Sequence, residues 1–248
     1  MKHKIIIALC YLLFTFAMPP FNLAEAQNGP MVPEIAPRPQ SGPMSFFVAS
    51  VGLGDGANLG GLVGADAHCQ KLAENSGMPG AKDRVWRAFL STQATIDEPA
   101  INARDRIGNG PWYNAKGVRI ATNLGHLLGD TLAAARKGNY INIRTALTET
   151  GEIVPGEIKI VGMEDRRNQH DILTGSQVDG TAFTDNFDRT CSNWTSNRDD
   201  GSANIGHHDR ITSFSSQSWI DAHPSRGCSQ ANLISTGGAG QFYCFAAN

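Results

Sequence analysis

Thr190-Cys191-Ser192-Asn193-Trp194 is the stretch that decides how this chain folds, and it leads on to Cys228 and to Phe242-Tyr243-Cys244-Phe245. Three of the four cysteines that follow the N-terminal leader lie in this last quarter, and the fourth, Cys69, lies far upstream. Four cysteines permit three pairings, and their spacing does not choose among them. Disulfides and a structural zinc site are the alternative uses of such a set, and the lack of a C-x-x-C pair favours disulfides.

The first 26 residues have the pattern of a signal peptide. Met1-Lys2-His3-Lys4 is a short positive region, residues 5–16 are apolar, and Ala24-Glu25-Ala26 predicts cleavage before Gln27. The apolar core of about a dozen residues is short for a bilayer anchor, although an uncleaved anchor remains the alternative. We therefore expect a secreted or periplasmic protein with no membrane span after leader cleavage, and cysteines in an oxidising compartment.

Composition narrows the class of partner. The chain is 41% hydrophobic and 18% charged, and its formal net charge is -2 with no long basic run. Binding to nucleic acid through bulk charge is therefore not expected. Residues 27–43 are rich in proline and predict an extended linker, so the folded domain is expected to cover residues 44–248.

Local patterns predict few regular elements in that domain. Residues 45–51 have a β pattern, and a helix is expected over 64–76 because Ala65, Cys69, Leu72 and Ala73 recur on one face. A short second helix is expected over 123–136. Residues 52–57 formally match the dinucleotide-binding fingerprint, but no helix pattern opens among the glycines, which favours a flexible glycine loop.

Two separate blocks resemble one superfamily. Ala67-His68-Cys69-Gln70-Lys71-Leu72 and Tyr243-Cys244-Phe245 look like the helix and the final strand that carry the long-range disulfide of C-type-lectin-like domains. Cys191 and Cys228 look like the second, shorter disulfide of that fold. The resemblance implies an α+β domain with a mixed, mostly antiparallel sheet, two helices, many loops, and the disulfides Cys69–Cys244 and Cys191–Cys228.

Each half of the domain also resembles a narrower group. The front half resembles endostatin, the C-terminal domain of certain collagens, through Gly64-Ala65-Asp66, Cys69 and Arg87-Ala88-Phe89-Leu90-Ser91. The tail is similar to bacterial exported domains of unknown function, through Asp179-Gly180-Thr181 and Trp219 besides the cysteine blocks. The histidine-rich zinc site of endostatins has no match in residues 27–43.

Lectins of this fold bind sugars through calcium held by a Glu-Pro-Asn or Gln-Pro-Asp triplet and a Trp-Asn-Asp triplet. In this chain Glu98-Pro99-Ala100 lacks the amide, and Trp219-Ile220-Asp221 has Ile220 in place of the amide. Calcium stays a candidate cofactor although neither triplet is matched. The candidate ligand-binding residues are Asp185, Asn186, Asp188, Asp221 and Trp112. Trp112 lies in a loop beside Pro111 and Tyr113 and is the better candidate for an exposed aromatic, with a core position as the alternative. Ordinary turn residues are the alternative for the acidic loop.

Histidines gather in the second half of the chain. Gly206-His207-His208-Asp209 is the densest cluster, and His170-Asp171 and His223 lie nearby in sequence. Adjacent side chains on a strand point to opposite faces, so His207 and His208 are not expected to bind one metal ion together. We expect these histidines to be exposed in loops, and the sequence does not decide whether the domain binds a metal ion.

The sequence contains no G-x-S-x-G motif, and no catalytic residue is assigned. We expect a non-catalytic binding or adhesion module that recognises a glycan, a matrix component or an extracellular protein through loops around the Cys191–Cys228 disulfide. The alternatives are a structural envelope protein and an exported hydrolase-type enzyme on the same scaffold. The enzyme alternative predicts a pocket that brings together two or more of the side chains of Asp185, Asp209, His207, His208 and His170.

Overall fold

The computed structural model describes residues 41–129, 139–157, 160–210 and 218–248. Residues from Pro39 to Asn248 form one compact unit. The expected signal peptide, most of the expected linker and the end of the second expected helix lie outside the described residues. None of the helices in the described part of the chain is long and apolar enough to cross a membrane.

The domain is α+β. Its strands are β1 (Phe46–Val48), β2 (Trp86–Ala88), β3 (Trp112–Tyr113), β4 (Arg119–Ala121), β5 (Asp171–Leu173), β6 (Asn204–His207), β7 (His223–Pro224) and β8 (Gly238–Ala246). The helices within the described residues are α1 (Gly61–Asn75), α2 (Leu124–Leu128), α3 (Cys191–Trp194) and α4 (Gln230–Thr236), and 3-10 turns occur at Ala81–Asp83 and Ala103–Arg106.

Strand β8 is the centre of the main sheet. The order is β1-β8-β5-β6-β7, and β2 also pairs with β8. The pairing of β5 with β8 is parallel and the other pairings of this sheet are antiparallel. The mixed, mostly antiparallel sheet that the resemblance implied is therefore present. β3 and β4 form a separate antiparallel pair.

Helix α1 packs as its pattern predicts. Ala65, Cys69 and Ala73 are buried on one face, and Cys69 forms a disulfide with Cys244 of β8. Cys191 forms the second disulfide with Cys228, so the implied pairing is confirmed. The helix begins directly after Gly60, whose φ is 70°. Residues 52–57 stay outside it, as expected for a glycine loop rather than a dinucleotide turn.

Two short helices of the tail have no local sequence pattern that predicts them. α3 has four residues, all with positive φ values, and α4 has seven. Side-chain caps define their starts: Thr190 accepts a hydrogen bond from the Asn193 amide, and Ser229 accepts one from the Asn232 amide. Trp194 is therefore the last residue of a single helical turn.

The prediction that Trp112 is an exposed aromatic is wrong. Its side chain is 1% exposed, it packs edge-on against Phe245 with ring centroids 5.5 Å apart, and its indole nitrogen donates to the Ala246 carbonyl at 3.3 Å. A large apolar ring gains most from burial when its one polar atom finds a partner. Trp112 therefore belongs to the core and presents no face to a sugar.

A buried ion pair joins α1 to the sheet. Asp66 lies 2.7 Å from Arg106 and 2.9 Å from Arg87, and its other oxygen accepts a hydrogen bond from the Ala88 amide at 2.9 Å. The Asp66 side chain is 12% exposed. Because this carboxylate has two cations and an amide as partners, it can stay charged inside the domain.

Candidate metal centre

Strands β5, β6 and β7 bring the histidines of the second half together. The antiparallel register places Asp171 opposite His207 and His223 opposite Ile205. Ile205 and His207 are two residues apart and share one face of β6, so His223 lies diagonally across from His207 on that face. His170 directly precedes β5. The sheet therefore gathers residues that are far apart in the sequence.

One carboxylate oxygen lies at the centre of this cluster. Asp171 Oδ1 is 3.1 Å from His170 Nε2 and 3.1 Å from His207 Nε2. His223 Nε2 is 3.1 Å from His207 Nε2 and 3.9 Å from Asp171 Oδ1. The rings of His170 and His207 stack with centroids 4.0 Å apart, which places both Nε2 atoms beside the same oxygen. His170, Asp171 and His207 thus offer three ligand atoms within 4.8 Å of one another.

These side chains are mostly buried and have few well-directed hydrogen bonds. The side chains of His170, Asp171 and His207 are 8%, 3% and 2% exposed, whereas that of His223 is 38% exposed. Among the described residues, neither carboxylate oxygen of Asp171 receives a well-directed hydrogen bond, and the ring Nδ1 of His207 has none either. Burying a carboxylate that receives no hydrogen bond destabilises the folded protein. The cluster therefore lacks hydrogen-bond donors for a buried charge among the described residues.

The outer nitrogens of two histidines face acceptors. His170 Nδ1 lies 3.4 Å from Asp209 Oδ1 and 3.9 Å from Glu157 Oε2, and the Glu157 amide donates to Asp209 Oδ2 at 2.8 Å. His223 Nδ1 lies 3.1 Å from the Pro224 carbonyl. A proton on Nδ1 in each ring would leave the lone pair on Nε2, directed at the cluster.

The electrostatics follow from the two buried carboxylates. Burial alone would lower the pKa of His170, but contacts with Asp171 and Asp209 outweigh it and raise that pKa to about 9. Burial raises the pKa of Asp171, and the facing imidazoles of His170 and His207 bring it well below its usual range. Without another cation, the cluster therefore holds its negative charge by keeping a proton on His170.

The distances resemble the edges of a metal coordination shell. Zinc binds imidazole nitrogen and carboxylate oxygen at about 2.0–2.2 Å in a tetrahedron, which separates neighbouring ligand atoms by roughly 3.3 Å. The three separations of 3.1 Å and the one of 3.9 Å lie around that value. Calcium prefers six to eight oxygen ligands, so a set with three imidazoles suits zinc or a similar transition metal.

The prediction of exposed loop histidines is wrong for three of the residues. His170 is 6%, His207 is 2% and His208 is 0% exposed, because β6 is an interior strand of the sheet between β5 and β7. The argument about adjacent histidines is sound: His207 joins the cluster, whereas His208 lies outside it. Burial lowers the pKa of His208 to about 4, so its ring is neutral at ordinary pH.

The acidic residues chosen from the sequence lie elsewhere. Asp185 pairs with Arg189 at 2.7 Å, and Asp188 accepts hydrogen bonds from the amides of Thr190 and Ser192. Both line an open surface depression together with Asn186. Asp221 is separate and accepts a hydrogen bond from Asn204 at 3.0 Å. The carboxylates of Asp185 and Asp188 therefore hold the loop before Cys191 in place.

Asp171 and His223 were not singled out as site residues, although both appear in the sequence beside the histidine cluster. The sequence around them gives little indication of a site, because the position of each in the cluster depends on the register between strands that are distant along the chain. Of the side chains that the enzyme alternative named, His170, His207 and Asp209 are brought together, whereas Asp185 and His208 are not part of the cluster. No protein-family model and no curated protein matches this sequence.

Proposed function

We propose that this domain binds one divalent transition-metal ion, with zinc as the best fit. His170 and His207 would supply Nε2, Asp171 would supply Oδ1, and His223 would close the fourth position. The observation that supports this most is the Asp171 Oδ1 atom, which is buried, receives no well-directed hydrogen bond from the described residues and lies 3.1 Å from two imidazole nitrogens. A cation there would neutralise the carboxylate and replace the missing hydrogen bonds.

The ion would brace the far edge of the sheet. The Cys69–Cys244 disulfide ties α1 to β8, but β5, β6 and β7 are joined mainly by short ladders of two or three residue pairs. One ion bound to residues at all three strands would hold them in register. A site with four protein ligands is closed, which is typical of structural zinc.

We further propose that the braced domain is an exported binding module of C-type-lectin-like fold. The two disulfides support export, because such bonds persist in oxidising compartments. Recognition of a glycan, a matrix component or a protein through the loops around Cys191–Cys228 stays part of this proposal. The open depression beside Asp185, Asn186 and Asp188 supports it, since it offers polar side chains on that loop.

Metal content is the direct test. Protein stripped with a chelator and dialysed should bind one zinc ion per chain, measured by titration calorimetry and by elemental analysis after desalting, and should bind calcium at this site far more weakly. His207→Ala should abolish the tight zinc site. His68→Ala is the matched control, because His68 is a half-buried histidine that contacts the Val51 carbonyl and lies outside the cluster. Equal zinc binding by the two variants would refute the proposal.

One observation favours the enzyme alternative as a second candidate. His223 is the most exposed member of the cluster and lies 3.9 Å from Asp171 Oδ1, so a water molecule could take its place on an ion held by the three buried ligands. Metal-bound water is the nucleophile of many hydrolases. Hydrolysis of carboxylic or phosphate esters that requires zinc and disappears in His207→Ala would favour this alternative, whereas zinc binding without turnover would favour the structural role.

A further inference from the structure

A polar cleft lies next to the segment that leads into His170. It is lined by Ser50, Thr148, Thr150, residues 152–155, Arg166, Arg167 and Gln169. The most buried polar side chain of the lining, Gln241 of β8, is called its floor. The cavity volume is about 470 Å³, which falls in the range of sites for small molecules. None of the metal-centre residues lines it.

The walls of the cleft are held by their own hydrogen bonds. The Thr148 amide donates to the Glu152 carbonyl at 2.9 Å, and the Thr148 hydroxyl accepts from the Glu152 amide at 3.0 Å. Across the cleft, the Gln169 amide donates to the Pro155 carbonyl at 2.9 Å. The cleft is therefore a formed feature of the fold, and a ligand would not have to order it.

The floor carries a polar atom without a partner. Gln241 is 1% exposed, and its Nε2 donates to the carbonyls of Ala49 at 2.9 Å and Ser50 at 3.3 Å. Its Oε1 is buried and receives no hydrogen bond from the described residues. An unsatisfied buried acceptor favours a ligand or a water molecule that brings a hydrogen-bond donor, such as a hydroxyl group.

The rim supplies charge and hydroxyl groups. Arg166, Arg167, Glu152 and Thr150 all line the cleft, and all but Thr150 are charged. Arg167 forms no ion pair with any residue that the structure describes. A guanidinium group binds a planar carboxylate through two parallel hydrogen bonds, while Glu152 accepts hydrogen bonds from hydroxyl groups. The partly exposed side chains of Ile153 and Pro155 form an apolar strip in the lining.

We propose that this cleft binds an acidic sugar of the uronic acid class. The carboxylate would meet Arg167, the hydroxyl groups would meet Thr150, Glu152 and the floor at Gln241, and the C–H face of the ring would pack on the apolar strip. Arg167 has no carboxylate partner among the described residues, so a neutral sugar would leave its charge unmatched.

Titration calorimetry with glucuronic acid, and with glucose as the neutral counterpart, tests this proposal. We expect glucuronic acid to bind at least about tenfold more tightly than glucose, because a charge-assisted hydrogen bond contributes about 1.5–3 kcal/mol. A short uronate oligosaccharide, run alongside, tells whether the cleft takes a free sugar or a unit of a polymer. Equal binding of the acidic and neutral sugars, or no binding at millimolar concentration, would overturn the proposal.

Matched variants locate the binding. Arg167→Gln should weaken the binding of glucuronic acid about tenfold. Arg226 is also exposed and lies outside the cleft, so Arg226→Gln should leave this binding unchanged. The same loss in both variants would refute the assignment. Protein stripped of metal with a chelator, and the His207→Ala variant, should both bind the sugar as the untreated protein does. The result for the cleft is therefore independent of the result for the metal centre.

Discussion

Replacing Asp171 by Asn tests the metal centre at its central atom. The change keeps the size of the side chain and removes the negative charge that lies 3.1 Å from two imidazole nitrogens. Loss of a residue that only supports a metal ligand costs about 10–100-fold in affinity, so loss of this ligand should weaken zinc binding at least about 100-fold.

That loss translates into thermal stability. At a zinc concentration of about 1,000 times the dissociation constant, binding stabilises the folded protein by about 4.1 kcal/mol. A 100-fold weaker site would retain about 1.4 kcal/mol at the same concentration, a difference of roughly 2.7 kcal/mol. For a domain of this size, about 1 kcal/mol shifts Tm by roughly 2–4 °C. The zinc-dependent rise in Tm should therefore be about 5–11 °C smaller in Asp171→Asn.

The assay is thermal unfolding followed by circular dichroism, with zinc and with chelator, for the wild type and the variant. The quantity compared is the rise in Tm on adding zinc, which removes any effect of the substitution on the metal-free protein. Asp97→Asn is the control, because Asp97 is exposed and lies outside the cluster. An equal rise in the wild type and in Asp171→Asn would refute the assignment of this carboxylate, and no rise in the wild type would refute the site.

Three further outcomes are expected. Asp209→Asn should weaken zinc binding about 10–100-fold, measured by competition with a chelating dye, because the carboxylate that faces His170 Nδ1 would no longer orient the ring. In the metal-free protein, the pKa of His170 is raised to about 9 from 6.5, so its contribution to the free energy of unfolding should be complete below pH 6.5 and lost as the pH rises to 9; urea unfolding across this range should show the decline in the wild type and a smaller one in His170→Gln. Asp66→Ala should cost about 3–5 kcal/mol in urea unfolding, because it leaves Arg106 buried without its anion, and a cost under 1 kcal/mol would contradict this reading.

The local sequence predicts those elements of the fold in which apolar residues are adjacent or repeat at a short, regular spacing. The face of α1 is readable because Ala65, Cys69 and Ala73 repeat at helical spacing, and β1 is readable as an apolar run. The disulfide pairing came from the resemblance and not from the spacing of the cysteines. α3 was not predicted because Cys191 to Trp194 all have positive φ values, from 47° to 68°, a conformation for which non-glycine residues give no pattern.

The metal centre could be predicted only in part, for a physical reason. Strand alternation explains why His207 and not His208 faces the cluster, and this step needs only the sequence. The meeting of Asp171 with His207 and the diagonal position of His223 depend on register between strands that are 36 and 16 residues apart by number. Long-range register is set by the packing of the whole sheet, so no local pattern contains it.

Anomalous diffraction from zinc-loaded crystals, recorded on both sides of the zinc absorption edge, tests the metal centre most directly. We expect one strong anomalous peak per chain, about 2.0–2.2 Å from the Nε2 atoms of His170 and His207 and from Oδ1 of Asp171, with His223 as the fourth ligand. A peak at another place on the domain, or none at this cluster with zinc in excess, would contradict the proposal.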